Sequence, residues 1–175
     1  MPSSFFGGRW KPIFWTSLLI LIIDILTKFW TNANLPLMGF AYPSYPYGGI
    51  PVFRNFLGIE FSISHLINHG AAWGMLSDYQ DFLLIARIFL IGGMLLYLLY
   101  FNQVKAWRFP LALVILGAIG NIIDYFVYGH VVDMIHFVLW GYDFPVFNVA
   151  DSAVTIGIFW LLIVSSFQER QRARS

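Results

Sequence analysis

Four runs of the chain are apolar for long enough to cross a bilayer. They are residues 13–30 (IFWTSLLILIIDILTKFW), 82–101 (FLLIARIFLIGGMLLYLLYF), 109–128 (FPLALVILGAIGNIIDYFVY) and 147–166. A helix rises about 1.5 Å per residue, so roughly 20 residues cover the hydrocarbon core. The first run has the flanks of a cleavable signal, with Arg9 and Lys11 before it and TNA after it. Its length, and the interruptions at Asp24 and Lys28, favour an uncleaved span. The segment between the first two runs, residues 31–81, has a different texture. PSYPYGGIP reads as turns, and FLGIEFSISHLI partly alternates β-branched and aromatic residues with polar ones, which predicts a small β element.

Composition narrows the class. Of 175 residues, 59 % are hydrophobic and 11 % charged, and the mean hydropathy is +0.71. A soluble domain of this size needs more polar surface, so the expectation is one integral membrane domain over residues 1–175. The fold class is all-α membrane: a four-helix transmembrane bundle with a small extracytoplasmic β element. Without cysteine there is no disulfide and no thiolate chemistry. No basic patch, phosphate loop or dinucleotide fingerprint points to nucleic acid or nucleotides. Abundant Trp and Tyr suit rings at the lipid–water boundary.

The position of the cations sets orientation. Arg9 and Lys11 precede the first span, Lys105 and Arg108 separate the second and third, and Arg170, Arg172 and Arg174 follow the fourth. Four crossings bring all three groups to one side, which the positive-inside rule makes cytoplasmic, with both termini. The outer connections carry Arg54 alone. Arg87, near the outer end of the second span, is expected to snorkel to the interface.

Against this background the polar residues of the spans stand out. An Asp near the centre of a spanning helix costs roughly 2.5–3.5 kcal/mol on insertion scales, so such groups face other helices or a wet cleft. Asn121 and Asp124 lie in the outer half of span three, Asn148 and Asp151 at the outer start of span four, and Asp133 in the connection between them. Topology therefore gathers them at one rim. Asn-x-x-Asp occurs twice, and residues three apart share a helix face. Two carboxylates in one partly dry pocket tend to share a proton, one serving as base and the other as acid. Such a pair can activate water against an amide. Helix–helix hydrogen bonding is the structural alternative for each of these groups. Asp24 and Lys28, spaced i, i+4, read as an internal ion pair. His130, Asp133 and His136 have a spacing that could hold a metal, although no H-E-x-x-H is present. His65 and His69 carry no motif.

Four blocks then resemble the lipoprotein signal peptidases (signal peptidase II): DILTK (24–28), NHGAAWGML (68–76), GNIIDYFVYGHVVDM (120–134) and FNVADSAVTIG (147–157). They stand in family order from the first span to the last. The resemblance implies four transmembrane helices with cytoplasmic termini, an outer β-rich element and a short interfacial helix. It implies a bacterial inner-membrane aspartyl protease that needs no metal and no other cofactor. Its substrates would be prolipoproteins, cut just before a cysteine carrying diacylglycerol and embedded in membrane lipid, and globomycin-type cyclic peptides would inhibit it. The catalytic aspartates would be Asp133 and Asp151. The supporting residues would be Asn68, Gly70, Asn121, Asp124 and Asn148. Three positions depart from the pattern. Tyr125 stands where an Arg usually follows Gly-Asn-x-x-Asp, Ile67 where a cation is common, and Met134 where an aromatic is usual. Both aspartates are intact, so an active enzyme with altered substrate contacts is expected. The rival readings are a transporter or assembly subunit that uses the carboxylates for ion or proton relay, and a metalloprotease built on His130, Asp133 and His136.

Overall fold

The computed structural model describes residues 10–39, 42–69 and 80–172. Four helices dominate it: α1 (Trp10–Asn34), α2 (Gln80–Leu96), α3 (Arg108–Tyr128) and α4 (Val149–Arg172). A π-helical turn, Tyr97–Phe101, extends α2. Each of the four spans is long and apolar enough to cross a membrane. Large side chains such as Trp15, Leu26, Phe89, Phe126 and Phe159 are exposed on the bundle's outside. Such a surface is stable against lipid and not against water.

α3 is the hub. Its first half is buried against α2, where Leu111, Ala112 and Ile115 meet Ile91 and Leu98. Its small residues let α4 and α1 come close. A Cβ on Gly117 would lie 2.5 Å from the Ala150 carbonyl oxygen, and one on Gly120 would lie 2.7 Å from Asp24 Oδ2. The helix ends at Gly129, whose φ of +77° is the left-handed cap conformation and whose N–H donates to the Tyr125 carbonyl at 3.0 Å.

The all-α expectation leaves out a four-stranded antiparallel sheet. Its order is β1 (Ile50–Phe56), β2 (Ile59–Asn68), β3 (Val131–Leu139) and β4 (Tyr142–Asp143). The predicted β element is its first hairpin, turned at Leu57-Gly58. The second hairpin, turned at Trp140-Gly141, replaces what reads in the sequence as a plain connection. Both turns place two residues at positive φ, which suits the twist of paired strands. They also lock together: the Trp140 indole N–H donates to the Leu57 carbonyl at 3.1 Å. β3 was hard to foresee because its apolar run, VVDMIHFVL, is buried over its first four residues and does not alternate cleanly. Among the described residues of segment 31–81 there is no short interfacial helix; residues 70–79, including Gly70, lie outside the described residues.

Three contacts fix the sheet to the helices. His65 Nδ1 bonds the Leu35 carbonyl at 2.9 Å just after α1. Phe147, one residue before Asn148, pairs with Ile135 of β3 through bonds of 2.7 and 3.1 Å. Val132 N–H donates to Asp124 Oδ2 at 3.2 Å. The start of α4 is thereby laid alongside the middle of β3, two residues from Asp133.

Candidate active site

Asn148 is the N-cap of α4. Its Oδ1 accepts the Asp151 N–H at 2.8 Å, and its own N–H donates to Asp151 Oδ2 at 3.3 Å. This is a capping box, in which the cap and the third helical residue satisfy each other's orphan groups. One local motif therefore both starts the span and holds a carboxylate at its mouth. The remaining arm of Asn148 reaches across: Nδ2 donates to Asp133 Oδ1 at 2.7 Å and to Asn121 Oδ1 at 3.1 Å. Asn148 itself is fully buried.

Asp133 and Asp151 are thus held by amides on every side. Asn68 Nδ2 donates to Asp133 Oδ2 at 3.0 Å, and Asn121 Nδ2 donates to Asp151 Oδ1 at 2.7 Å. Asn68 and Asp133 come from adjacent strands, since Asn68 pairs with Val131 and Leu66 with Asp133. Both carboxylates line one cavity of ≈ 680 Å³, together with Asn68 and Asn121. Burial, and after it the charge of Asp151, pushes the Asp133 carboxyl up to about 7; the amides of Asn68 and Asn148 oppose that rise. A carboxyl at that point can hold or release a proton near neutrality.

A second carboxylate group lies directly behind. Lys28 Nζ sits 2.8 Å from Asp24 Oδ2, 2.8 Å from Asp124 Oδ2 and 2.9 Å from Asn121 Oδ1. An ammonium has three donors, and all three are used. Asp24 also accepts the Ala150 N–H at 2.8 Å through Oδ1, another orphan donor of the first turn of α4. Asp124, grouped with the rim residues on sequence, belongs to this ion cluster instead. In the sequence Lys28 had Asp24 as its partner; the fold adds Asp124, 96 positions away. Asn121 joins the two groups, accepting from Lys28 and donating to Asp151.

The metal set does not assemble. Asp133 and His136 are three positions apart on a strand, about 10 Å at strand rise, too far to share an ion. His136 Nε2 instead bonds Asp143 Oδ1 at 3.1 Å, and the His130 ring lies edge-on to His69 and tilted against Tyr128. Among the described residues no group of three His, Asp or Glu side chains could hold an ion. The spacing suited a helix, and the segment is a strand.

One residue at the site carried no signal of it in the sequence. Arg87 of α2, assigned to the interface by its position, lines the same cavity as the two aspartates. Tyr125 donates to Asp81 Oδ1 at 2.6 Å and ties α3 to the start of α2.

With Asn68, Asn121, Asp133 and Asp151 placed around one cavity, the comparison with known proteins is direct. Residues 16–167 match the family described as Signal peptidase (SPase) II. The chain belongs to the signal peptidase II family. Among curated relatives, the lipoprotein signal peptidase of Streptococcus pyogenes serotype M1 is 38 % identical over 155 residues, covering 87 % of this chain and 92 % of that protein. That of Staphylococcus haemolyticus (strain JCSC1435) is 40 % identical, covering 84 % and 85 %. That of Xylella fastidiosa (strain M12) is 35 % identical, covering 91 % and 90 %. A bacterial membrane enzyme solved at 2.3 Å by the in meso method has the same fold, with a TM-score of 0.77, 28 % identity and coverage of 91 % of this chain and 90 % of that one. A family likeness of this extent, with four spans, makes this signal peptidase II relative a multi-pass membrane protein.

Proposed function

We propose that this chain is the lipoprotein signal peptidase of a bacterial inner membrane, with Asp133 and Asp151 as its catalytic dyad. Both termini are cytoplasmic, and the sheet end of the bundle faces outward. The substrate is a prolipoprotein whose cysteine carries diacylglycerol. The acyl chains stay in lipid while the bond before that cysteine enters the cavity at the rim.

The arrangement supports a water-mediated cleavage. One carboxylate takes a proton from water as the oxygen attacks the scissile carbonyl carbon. The other, protonated, donates to the carbonyl oxygen. Collapse of the tetrahedral gem-diol breaks the C–N bond: the departing cysteine amine takes a proton from one carboxyl while a diol hydroxyl returns a proton to the other carboxylate. The pair ends with the one proton it began with, so the roles can reset. Asn68 and Asn148 hold Asp133 in place, Asn121 holds Asp151, and all three are amides that add no charge. The observation that carries this reading is the shared Asn148: the residue that caps Asp151 also binds Asp133.

The test is cleavage of a diacylglyceryl-modified prolipoprotein by the purified protein in lipid. Asp133→Asn and Asp151→Asn are each expected to lose on the order of 10³-fold in kcat, the scale of general acid–base catalysis. Normal turnover by both variants would overturn the proposal. A strong chelator in the same assay is expected to leave the rate unchanged, and a globomycin-type peptide to abolish it.

A further inference from the structure

Space opens from the dyad in two directions. The ≈ 680 Å³ cavity runs past Arg87 and along α4 to Thr155 and Ile156. A separate cavity of ≈ 950 Å³ shares Asn68 and Asp133 with it but runs the other way, to Tyr42, Tyr47, His136 and Asp143 at the sheet. A peptide bond held at Asp133 must send one arm into each. On the reading above, the membrane-spanning signal peptide takes the side flanked by α4. The second cavity then receives the mature chain beyond the cysteine.

That second cavity has a built feature the dyad does not use. His136 is 1 % exposed on β3, and its Nε2 bonds Asp143 Oδ1 at 3.1 Å. A carboxylate only accepts, so this nitrogen carries the hydrogen. The ring is flanked by Tyr45 and Tyr47, each with its centroid 5.9 Å away, and its Nδ1 is buried with no partner. The Tyr47 hydroxyl donates to Asp143 Oδ2 at 3.4 Å. His136 and Tyr47 therefore hold Asp143, whose side chain remains 59 % exposed. No Lys or Arg is among the described residues lining the cavity. An exposed carboxylate beside tyrosine rings attracts ammonium and guanidinium groups.

We propose that Asp143, held by His136 and Tyr47, forms a subsite for a lysine or arginine side chain in the mature part of the substrate. Asp133 and His136 are three positions apart on β3, about 10 Å at strand rise, and an extended peptide covers that length in roughly three residues. The favoured cation therefore lies some two to five residues past the scissile bond. This rests on the peptidase reading and assigns a specificity to it.

The experiment uses the full chain in lipid and diacylglyceryl-modified prolipoprotein peptides that differ only in Lys or Glu at each of those positions. Cleavage (kcat/KM) and binding (fluorescence anisotropy) are both measured. The wild type is expected to favour Lys over Glu by roughly fivefold at one position, the scale of an exposed ion pair with an aromatic contribution. Asp143→Asn should reduce that ratio to about one, and Asp143→Lys should invert it. Glu169→Gln, which removes a carboxylate near the C-terminal end of α4, away from the sheet, should leave the ratio intact. A ratio that survives Asp143→Asn, or falls equally with Glu169→Gln, overturns the subsite. If the wild type cleaves no peptide, the peptidase reading fails, and the binding ratio still decides the subsite.

Discussion

Two carboxylate pairs sit back to back in this protein, and they differ in one ingredient. Asp24 and Asp124 share the ammonium of Lys28 at 2.8 Å each. Asp133 and Asp151 share only amides, from Asn68, Asn121 and Asn148. The first pair is bridged directly by one ammonium and ties α1, α3, β3 and the start of α4 together. The second is held by side-chain amides, with Lys28 behind Asn121 and Arg87 on the wall of the cavity. Where a fixed ammonium bridges them, two carboxylates act as scaffold; held by amides, they are, on the reading proposed above, the chemistry. Asn121 keeps the two apart and in register, with its carbonyl turned to Lys28 and its amide to Asp151.

The sharpest way to break this comparison is to remove the cation. Lys28→Met leaves two buried carboxylates unopposed, and losing one partner of a buried ion pair costs about 3–5 kcal/mol. Thermal unfolding in detergent should show a fall of that order, with partial recovery when Asp24→Asn and Asp124→Asn are added. Stability unchanged by Lys28→Met would mean that the ion cluster does not hold the helices.

Removing a carboxylate from the other pair should act differently. The Asp133 carboxyl is pushed up to about 7, well above an unfolded Asp near 4. Between those limits the folded state keeps a proton that the unfolded state has released. Stability therefore falls as pH rises through that window and levels off above it. The ceiling of the effect is on the order of 4 kcal/mol. Asp133→Asn removes this dependence, so its melting temperature should decline less than the wild type's between pH 4 and 7. Parallel pH profiles for the two proteins would contradict the raised carboxyl.

Asn121→Ala tests the bridge. It deprives Lys28 of one acceptor and Asp151 of one donor, a loss of about 1–3 kcal/mol for buried partners left unmatched. Activity should fall roughly tenfold, as suits a lost positioning bond, while Asn148→Ala, which touches both carboxylates, should cost more. The smallest effect belongs to Tyr125→Phe. Its hydroxyl bond to Asp81 is exposed, so turnover should change by roughly twofold or less. A large loss would show that Tyr125 took over the duty of the arginine usual at that position.

Some of this was legible along the chain and some was not. The capping box at 148–151 is local, so Asn-x-x-Asp before an apolar run announced both the helix start and the carboxylate's position. The same spacing in HVVDMIH means something else, because a three-residue interval joins side chains on a helix and this segment is β3. The hairpin at residues 50–68 showed its turn and partial alternation. β3 showed neither, being buried along its first half.

The sequence by itself determined the four spans and the blocks that mark the family, because lipid imposes length and apolarity on every spanning segment. Only the tertiary structure decided which polar groups met. Lys28 found Asp124 across 96 positions, Asp133 reached Asn148 through strand pairing, and Arg87 turned to the cavity. Those partners come from different helices and strands, and no periodicity within one segment can encode a contact made between two.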